Sequence, residues 1–170
     1  MKKTFRLLLG LHLFVGIGAM GGGMMAILFP EGPGGMPVDA LNNSPFQDYL
    51  IPGIILFAVI GLGNVFCALT MLLKSKYQGY ISSIFSWALV FWIIVQCIML
   101  RIVASLHVIY LMIGLVQALL SAILLFAQHL FPTGIILTVI MKLEDRLPNH
   151  KFIKNIGKIF MRIYDTDGLR

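Results

Sequence analysis

Four long apolar runs, separated by short polar segments, dominate the hydrophobic pattern of the chain. Each reaches the ~20 predominantly apolar residues that a helix needs to cross the hydrocarbon core of a bilayer. The third and fourth runs are separated only by a short segment around Arg101, which predicts a tight helical hairpin. The pattern predicts an all-α fold, an integral membrane four-helix bundle over residues 1–131, with spans at about 7–29, 50–73, 81–103 and 108–131.

The first run also has features of a secretory signal peptide, because the basic segment MKKTFR precedes it. Its apolar part covers residues 7–29, which is longer than the ~7 to 15 residues of a signal-peptide core. The following segment MMAILFPEG has no clean pair of small residues at a cleavage spacing. These features favour a retained membrane helix over a cleaved signal.

The tail after the fourth run, residues 132–170, has a different pattern. It begins with an apolar stretch too short to span, and Pro148 then interrupts the chain. From residue 151 to 164 apolar side chains recur at helical spacing, which predicts an amphipathic helix in the headgroup plane of the cytoplasmic leaflet. Its membrane-surface residues would bind anionic lipids, and they are Lys151, Lys154, Lys158 and Arg162. Docking of this stripe onto a partner protein is the alternative.

Composition supports the membrane class. Hydrophobic residues make up 59% of the chain and charged residues 12%, with a mean hydropathy of +0.93, far outside the range of soluble domains. The spans use most of the 170 residues, which excludes a sizeable soluble enzyme domain. Cys67 and Cys97 both lie in apolar runs, so we interpret them as buried small side chains, not as a disulfide or redox motif.

The distribution of charge predicts an orientation in the plasma membrane. If the chain crosses four times, twelve of its 13 basic residues fall on one side, and Arg101 is the exception. The positive-inside rule places that side, and with it both chain ends, in the cytoplasm. Because this topology accounts for the net charge of +6, we expect no nucleic-acid partner.

The segment before the second run has the composition of a helix start at the membrane surface. Phe46 and Tyr49 suit the interfacial aromatic belt, and Asp48 can accept hydrogen bonds from the first N–H groups of the helix. Pro52 falls in the first turn, where a missing N–H costs nothing. An outward-facing binding lip is the alternative interpretation of Asp48.

Small residues recur four positions apart in the first two runs. Gly18 with Gly22, Ala19 with Gly23, and Gly63 with Cys67 form such pairs. Faces of this kind let helix backbones approach closely in lipid, where no hydrophobic force drives helices together. They predict close packing against another helix of this chain, a second copy or a membrane-protein partner.

Uncharged polar residues interrupt the last three runs. We expect Asn64, Gln96 and Gln117 to hydrogen-bond across the interior and hold the bundle together, although such residues are also candidates for a ligand site. Arg101 and His107 flank the hairpin, where they could meet Asp48 or an anionic group, or simply extend to the interface.

The sequence has few candidates for a cofactor or catalytic site. The depths of His12 and His129 could match, as a bis-histidine haem would require, yet two histidines are weak grounds, and we predict no cofactor and no metal site. The sequence has no nucleophile elbow, zinc-helix or phosphate-loop motif. No acidic residue falls inside a run, whereas proton-coupled transporters usually carry one.

Two motifs carry a family resemblance, FQDYLIPG at residues 46–53 and WIIVQ at residues 92–96. On them, residues 44–126 resemble a group of bacterial four-helix integral membrane proteins of unassigned activity, remotely similar to the DoxX-like group. Members often have a Leu-Gln-Pro turn before the last span, where this chain has His107 and Val108 after leucine. The resemblance implies the four-span topology and no established activity.

Three functional hypotheses follow. The first is a small non-enzymatic protein of the bacterial envelope, acting as an accessory or structural subunit. The second is a DoxX-like membrane protein that binds a lipid, quinone or other small molecule through a group at the outer interface, formed by Asp48, Gln96, Arg101 and His107. The third is a transporter subunit.

Overall fold

The computed structural model describes residues 2–128, 133–146 and 151–165, and within these ranges it contains helices and connecting loops but no strand. Four helices are long and apolar enough to cross a membrane, namely α1 (Lys2–Leu28), α2 (Leu50–Leu72), α3 (Gln78–Leu100) and α4 (Ser105–Ala127). Two shorter helices follow them, α5 (Thr133–Arg146) and α6 (Lys151–Asp165). The predicted all-α class and the four apolar helices are confirmed.

The four long helices form a closed ring. Helix α1 packs against α2 and α4, and α3 completes the ring between those two. The outer surface is apolar, with large exposed side chains such as Phe14, Ile17, Ile98 and Leu119. An apolar exterior of this extent on a helical bundle is suited to lipid contact.

The hairpin between α3 and α4 is short because Arg101 ends α3 in the left-handed conformation, with φ of 50°. Ala104 then returns to an extended conformation before α4 begins. Both helices begin three residues before the predicted runs, at Gln78 and Ser105, because their first turns contain polar residues that the apolar pattern does not count.

Helices α1 and α2 approach each other closely through glycines. A Cβ atom at Gly23 would lie 2.6 Å from the backbone nitrogen of Phe57, and one at Gly61 would lie 2.6 Å from Cγ of Met20. Gly16 faces Val65 in the same way. Residues 56–62 of α2, which face α1, form a π-helical segment, a wider turn that often marks functional positions.

The other predicted small residues contact different helices. Gly18 faces the hydroxyl group of Tyr110 on α4, and Gly63 faces the ring of Phe85 on α3. Cys67 is fully buried. These small residues therefore pack within the chain's own bundle.

The connection between α1 and α2 folds over one end of the bundle. The N–H of Tyr49 donates to the Pro30 carbonyl at 2.9 Å, and its hydroxyl donates to the Pro37 carbonyl at 3.1 Å. Burial raises the pKa of the Tyr49 hydroxyl, which keeps this group protonated and able to donate. We call this the acidic end, since Asp39 and Asp48 lie there, and the opposite one the basic end, since Lys2 and Lys74 lie there.

The C-terminal helices lie at the basic end. Helix α6 packs against α5 and α4, and the Phe126 and Phe160 rings have centroids 4.6 Å apart. Lys154, Lys158 and Arg162 are exposed, whereas the side chain of Lys151 lies outside the described residues. A face of the predicted amphipathic helix thus contacts the chain's own bundle through Phe160.

We expect Gly23→Ala to destabilise the bundle. Its new methyl group would press on backbone atoms of α2, and overpacking of this kind costs about 1–3 kcal/mol. The matched control is Gly21→Ala, because no atom lies within 4 Å of a Cβ there and the loss of a helical glycine is stabilising. Thermal unfolding of the detergent-solubilised variants measures the difference. Equal stability of the two variants would contradict the close approach.

Candidate functional site

A cluster of four polar side chains lies in the interior where the four long helices meet. His12 of α1, Asn64 of α2, Ser82 of α3 and Gln117 of α4 are each 0% exposed. We call these four residues the polar cluster. An apolar layer lies on either side of it along the bundle, one with Leu8, Met71 and Leu124 and the other with Val15, Ile60 and Leu89.

The hydrogen bonds of the polar cluster fix the tautomer of His12. Asn64 donates from Nδ2 to the Ile60 carbonyl at 2.8 Å, so its Oδ1 is the acceptor that lies 2.7 Å from His12 Nδ1. His12 Nδ1 therefore carries the hydrogen. His12 Nε2 then accepts from the Ser82 hydroxyl group, whose Oγ is 2.6 Å away.

Gln117 completes the polar cluster from α4. Its Nε2 lies 3.2 Å from His12 Nδ1 and 3.4 Å from Asn64 Oδ1. Since Nδ1 carries a hydrogen, the Gln117 amide donates to Asn64. Within the described residues, Gln117 Oε1 is buried without a hydrogen-bond partner. If Oε1 and Nε2 of Gln117 exchanged places, the nitrogen would be left without a partner instead of the oxygen.

The three polar residues predicted in the interior differ in their hydrogen bonding. Asn64 and Gln117 hydrogen-bond across the bundle as expected, but the side chain of Gln96 makes no hydrogen bond to the described part of the protein. Ser82 was missed by the sequence reasoning. The available signal was the four-residue spacing of Gln78, Ser82 and Ser86 in an otherwise apolar helix.

The polar cluster is suited to holding helices together. Both ring nitrogens of His12 have protein partners, so neither is free for an axial haem bond in this arrangement, and His129 lies outside the described residues. No group of three or more His, Cys, Asp or Glu side chains that could hold a metal occurs among the described residues.

A second feature, a cavity of about 520 Å³, lies between the middle of the bundle and its acidic end. All four long helices contribute to its wall, which is mostly apolar and includes Gly22, Leu56, Ile60, Leu89, Ile93 and Met99. Four polar side chains also line it, namely Tyr49, Gln96, His107 and Tyr110. We call this the outer cavity.

The polar groups of the outer cavity can bind a ligand oxygen. Gln96 has both an amide donor and an acceptor without partners among the described residues. His107 Nδ1 accepts a hydrogen bond from the Ala104 N–H at 3.0 Å, so in the neutral ring Nε2 carries the hydrogen and can donate. Tyr110 adds a hydroxyl group beside Gly18.

The remaining predicted site residues do not line the outer cavity. Asp48 is half-buried, and its Oδ1 accepts a hydrogen bond from the Leu50 N–H at 2.9 Å, at the start of α2. Arg101 is exposed at the end of α3. The predicted group at the acidic end is therefore divided, with Gln96 and His107 in the cavity wall and Asp48 and Arg101 at helix ends.

We expect Asn64→Leu to lower the free energy of unfolding by about 1–3 kcal/mol, because the donors of His12 and Gln117 lose their common acceptor. The control is Gln96→Leu, which removes no hydrogen bond within the described part of the protein and should change stability by less than about 0.5 kcal/mol. Denaturation in detergent measures both. An equal loss for the two variants would contradict the role of the polar cluster.

Comparison with known proteins assigns no family to this chain. No protein-family model matches the chain, and neither a curated protein nor a solved structure matches it. The DoxX-like resemblance therefore stays a hypothesis that rests on two motifs. The first motif forms the start of α2, and the second contributes Ile93 and Gln96 to the outer cavity.

Proposed function

We propose that this chain is an integral membrane protein that binds an apolar or amphiphilic small molecule, of the lipid or quinone class, in the outer cavity. The observation that carries the proposal is the cavity itself. Its volume of about 520 Å³ lies within the ~300–1,000 Å³ of typical ligand sites, and its wall is mostly apolar with few polar groups.

The two kinds of lining have separate roles in recognition. The apolar residues, among them Ile60, Leu89 and Ile93, would contact a hydrocarbon chain or ring. The Gln96 amide and the His107 Nε2–H would donate to a carbonyl or ester oxygen. Gln96 is half-buried and makes no hydrogen bond to the described part of the protein, so a bound ligand oxygen would pair with its amide and gain affinity from that bond.

The other two functional hypotheses remain predictions from the sequence. An accessory subunit of the bacterial envelope and a transporter subunit are both compatible with four apolar helices. The outer cavity favours the binding hypothesis over them because a purely structural subunit has no need of a ligand-sized space with unpaired polar groups.

We also propose that α6 lies at an anionic membrane surface. Lys154 and Lys158 are exposed on it, together with the apolar side chain of Ile159. Cations beside an exposed apolar residue suit the boundary between headgroups and acyl chains. Contact of Phe160 with α4 would hold the helix close to the bundle.

To test ligand binding, we would replace Gly22, which lines the outer cavity, by leucine. The new side chain would enter the space and is expected to lower the amount of copurifying ligand at least tenfold. The matched control is Gly21→Leu, since Gly21 does not line the outer cavity and no atom lies within 4 Å of a Cβ there. Mass spectrometry of organic extracts from the purified proteins measures the ligand per chain.

The proposal requires that the amount of bound ligand changes when the outer cavity is filled. Equal ligand content in both glycine variants would contradict it, and so would absence of any stoichiometric small molecule from the unsubstituted protein. Gln96→Leu provides a second check, because it should weaken binding of an oxygen-bearing ligand without changing the fold.

The orientation of the bundle in the membrane can be tested separately. We infer that the basic end faces the cytoplasm, because Lys2, Lys3, Arg6, Lys74 and Lys76 all lie there. A reporter enzyme fused at either chain end should report the cytoplasm, and one inserted after Asn42 should report the exterior. A cytoplasmic signal from the Asn42 insertion would contradict this orientation.

A further inference from the structure

A line of polar side chains extends from the polar cluster to the basic end, between α3 and α4. Gln78 and Ser82 lie one turn apart on α3, Gln117 and Ser121 lie one turn apart on α4, and Gln128 directly follows the end of α4. Side chains at such spacings share one face of a helix. We call these five residues the polar seam.

The outer part of the polar seam is connected across the two helices. A Cβ atom at Gly79 would lie 3.1 Å from Gln128 Oε1 and 3.0 Å from Cδ2 of Leu125. The Gln128 side chain therefore lies over the first turn of α3, against Gly79. Ser82, one turn further along α3, contacts the His12 ring.

Three amide oxygens of the polar seam are buried without a hydrogen-bond partner in the described part of the chain. They are Oε1 of Gln78, Gln117 and Gln128. Gln117 is 0% exposed and Gln78 is 9% exposed. A buried polar group without a partner costs free energy, most of all in the hydrocarbon region where Gln117 lies, so the three oxygens along this path are expected to bind donors.

The buried serine hydroxyl groups near the polar seam donate to other acceptors. Ser82 donates to His12, Ser86 donates to the Ser82 carbonyl at 2.7 Å, and Ser121 donates to the Ala118 carbonyl at 2.9 Å. The Nδ1–H of His12 already donates to Asn64. None of these groups in the described part of the chain can donate to the three amide oxygens, an arrangement that a bound species with hydrogen-bond donors would satisfy.

We propose that the polar seam holds water molecules that connect the solution at the basic end with the ring of His12. Water brings two donors and two acceptors, and a buried water typically makes about three hydrogen bonds to groups that would otherwise be unpaired. A bound cation fits less well, because the sequences of α1 to α4 contain no carboxylate to balance its charge. The seam would let His12 exchange its ring proton with that solution.

The test is hydrogen exchange at the ring of His12. The protein is labelled with ¹⁵N-histidine, with His107, His129 and His150 replaced by glutamine, and placed in lipid bilayers. After transfer to deuterated buffer, the Nδ1–H signal should disappear within minutes. Its persistence for days would mean that the interior is dry, and would overturn the proposal.

A pair of variants tests the route of the water. Gln128→Leu, at the outer part of the polar seam, should slow exchange at His12 at least tenfold. Gln96→Leu, in the outer cavity, should leave the exchange rate unchanged. Slowing by the Gln96 variant alone would place the water path at the acidic end and would contradict the proposal.

A measurement on the unsubstituted chain keeps the proposal testable if the histidine variants do not fold. Magnetisation transferred from water in solid-state NMR should reach Ser121 several-fold faster than Val90, a buried residue outside both the polar seam and the outer cavity, although the two residues are 0% and 4% exposed. Equal transfer times at these two positions would show that no water lies in the polar seam.

Discussion

A polar group inside a bilayer must find its hydrogen-bond partners within the protein or in trapped water, and the interior of this bundle depends on that constraint. Each long helix contributes one side chain to the polar cluster, and the ring of His12 contacts the other three. Because apolar contacts in lipid are nearly interchangeable, such directional bonds can specify how four apolar helices are rotated and shifted against one another. The cluster therefore fixes the arrangement that close packing then stabilises.

Glycines on α1 have two different effects on the bundle. Gly16 and Gly23 face α2 and let the two backbones approach, whereas Gly18 and Gly22 line the outer cavity. The lack of side chains at the first pair brings helices together. At Gly22 it leaves space between helices, and at Gly18 it makes room for the Tyr110 hydroxyl group. One helix thus both closes the bundle and provides part of the wall of the proposed ligand site.

The resulting interior has two polar regions with an apolar layer between them. The outer cavity has Gln96 and His107 as its polar groups, and the polar cluster lies beyond Ile60 and Leu89, which border the cavity. If both proposals hold, a lipid-like ligand would bind near the acidic end while water reaches His12 from the basic end. The apolar layer would keep the two apart.

The sequence by itself determined the class, the four apolar helices and the helix start at Asp48, because span length, composition and capping residues are local properties of the chain. It also placed Asn64 and Gln117 inside the membrane. Only the tertiary structure decided that these two meet His12 and Ser82 while Gln96 faces a cavity instead, since helix rotation and depth are set by contacts between residues far apart in sequence. For the same reason the hydrophobic pattern could not identify Gly16 and Gly61 as close contacts of α1 and α2: every face of these helices is apolar, and only packing distinguishes the face toward lipid from the face toward a neighbouring helix.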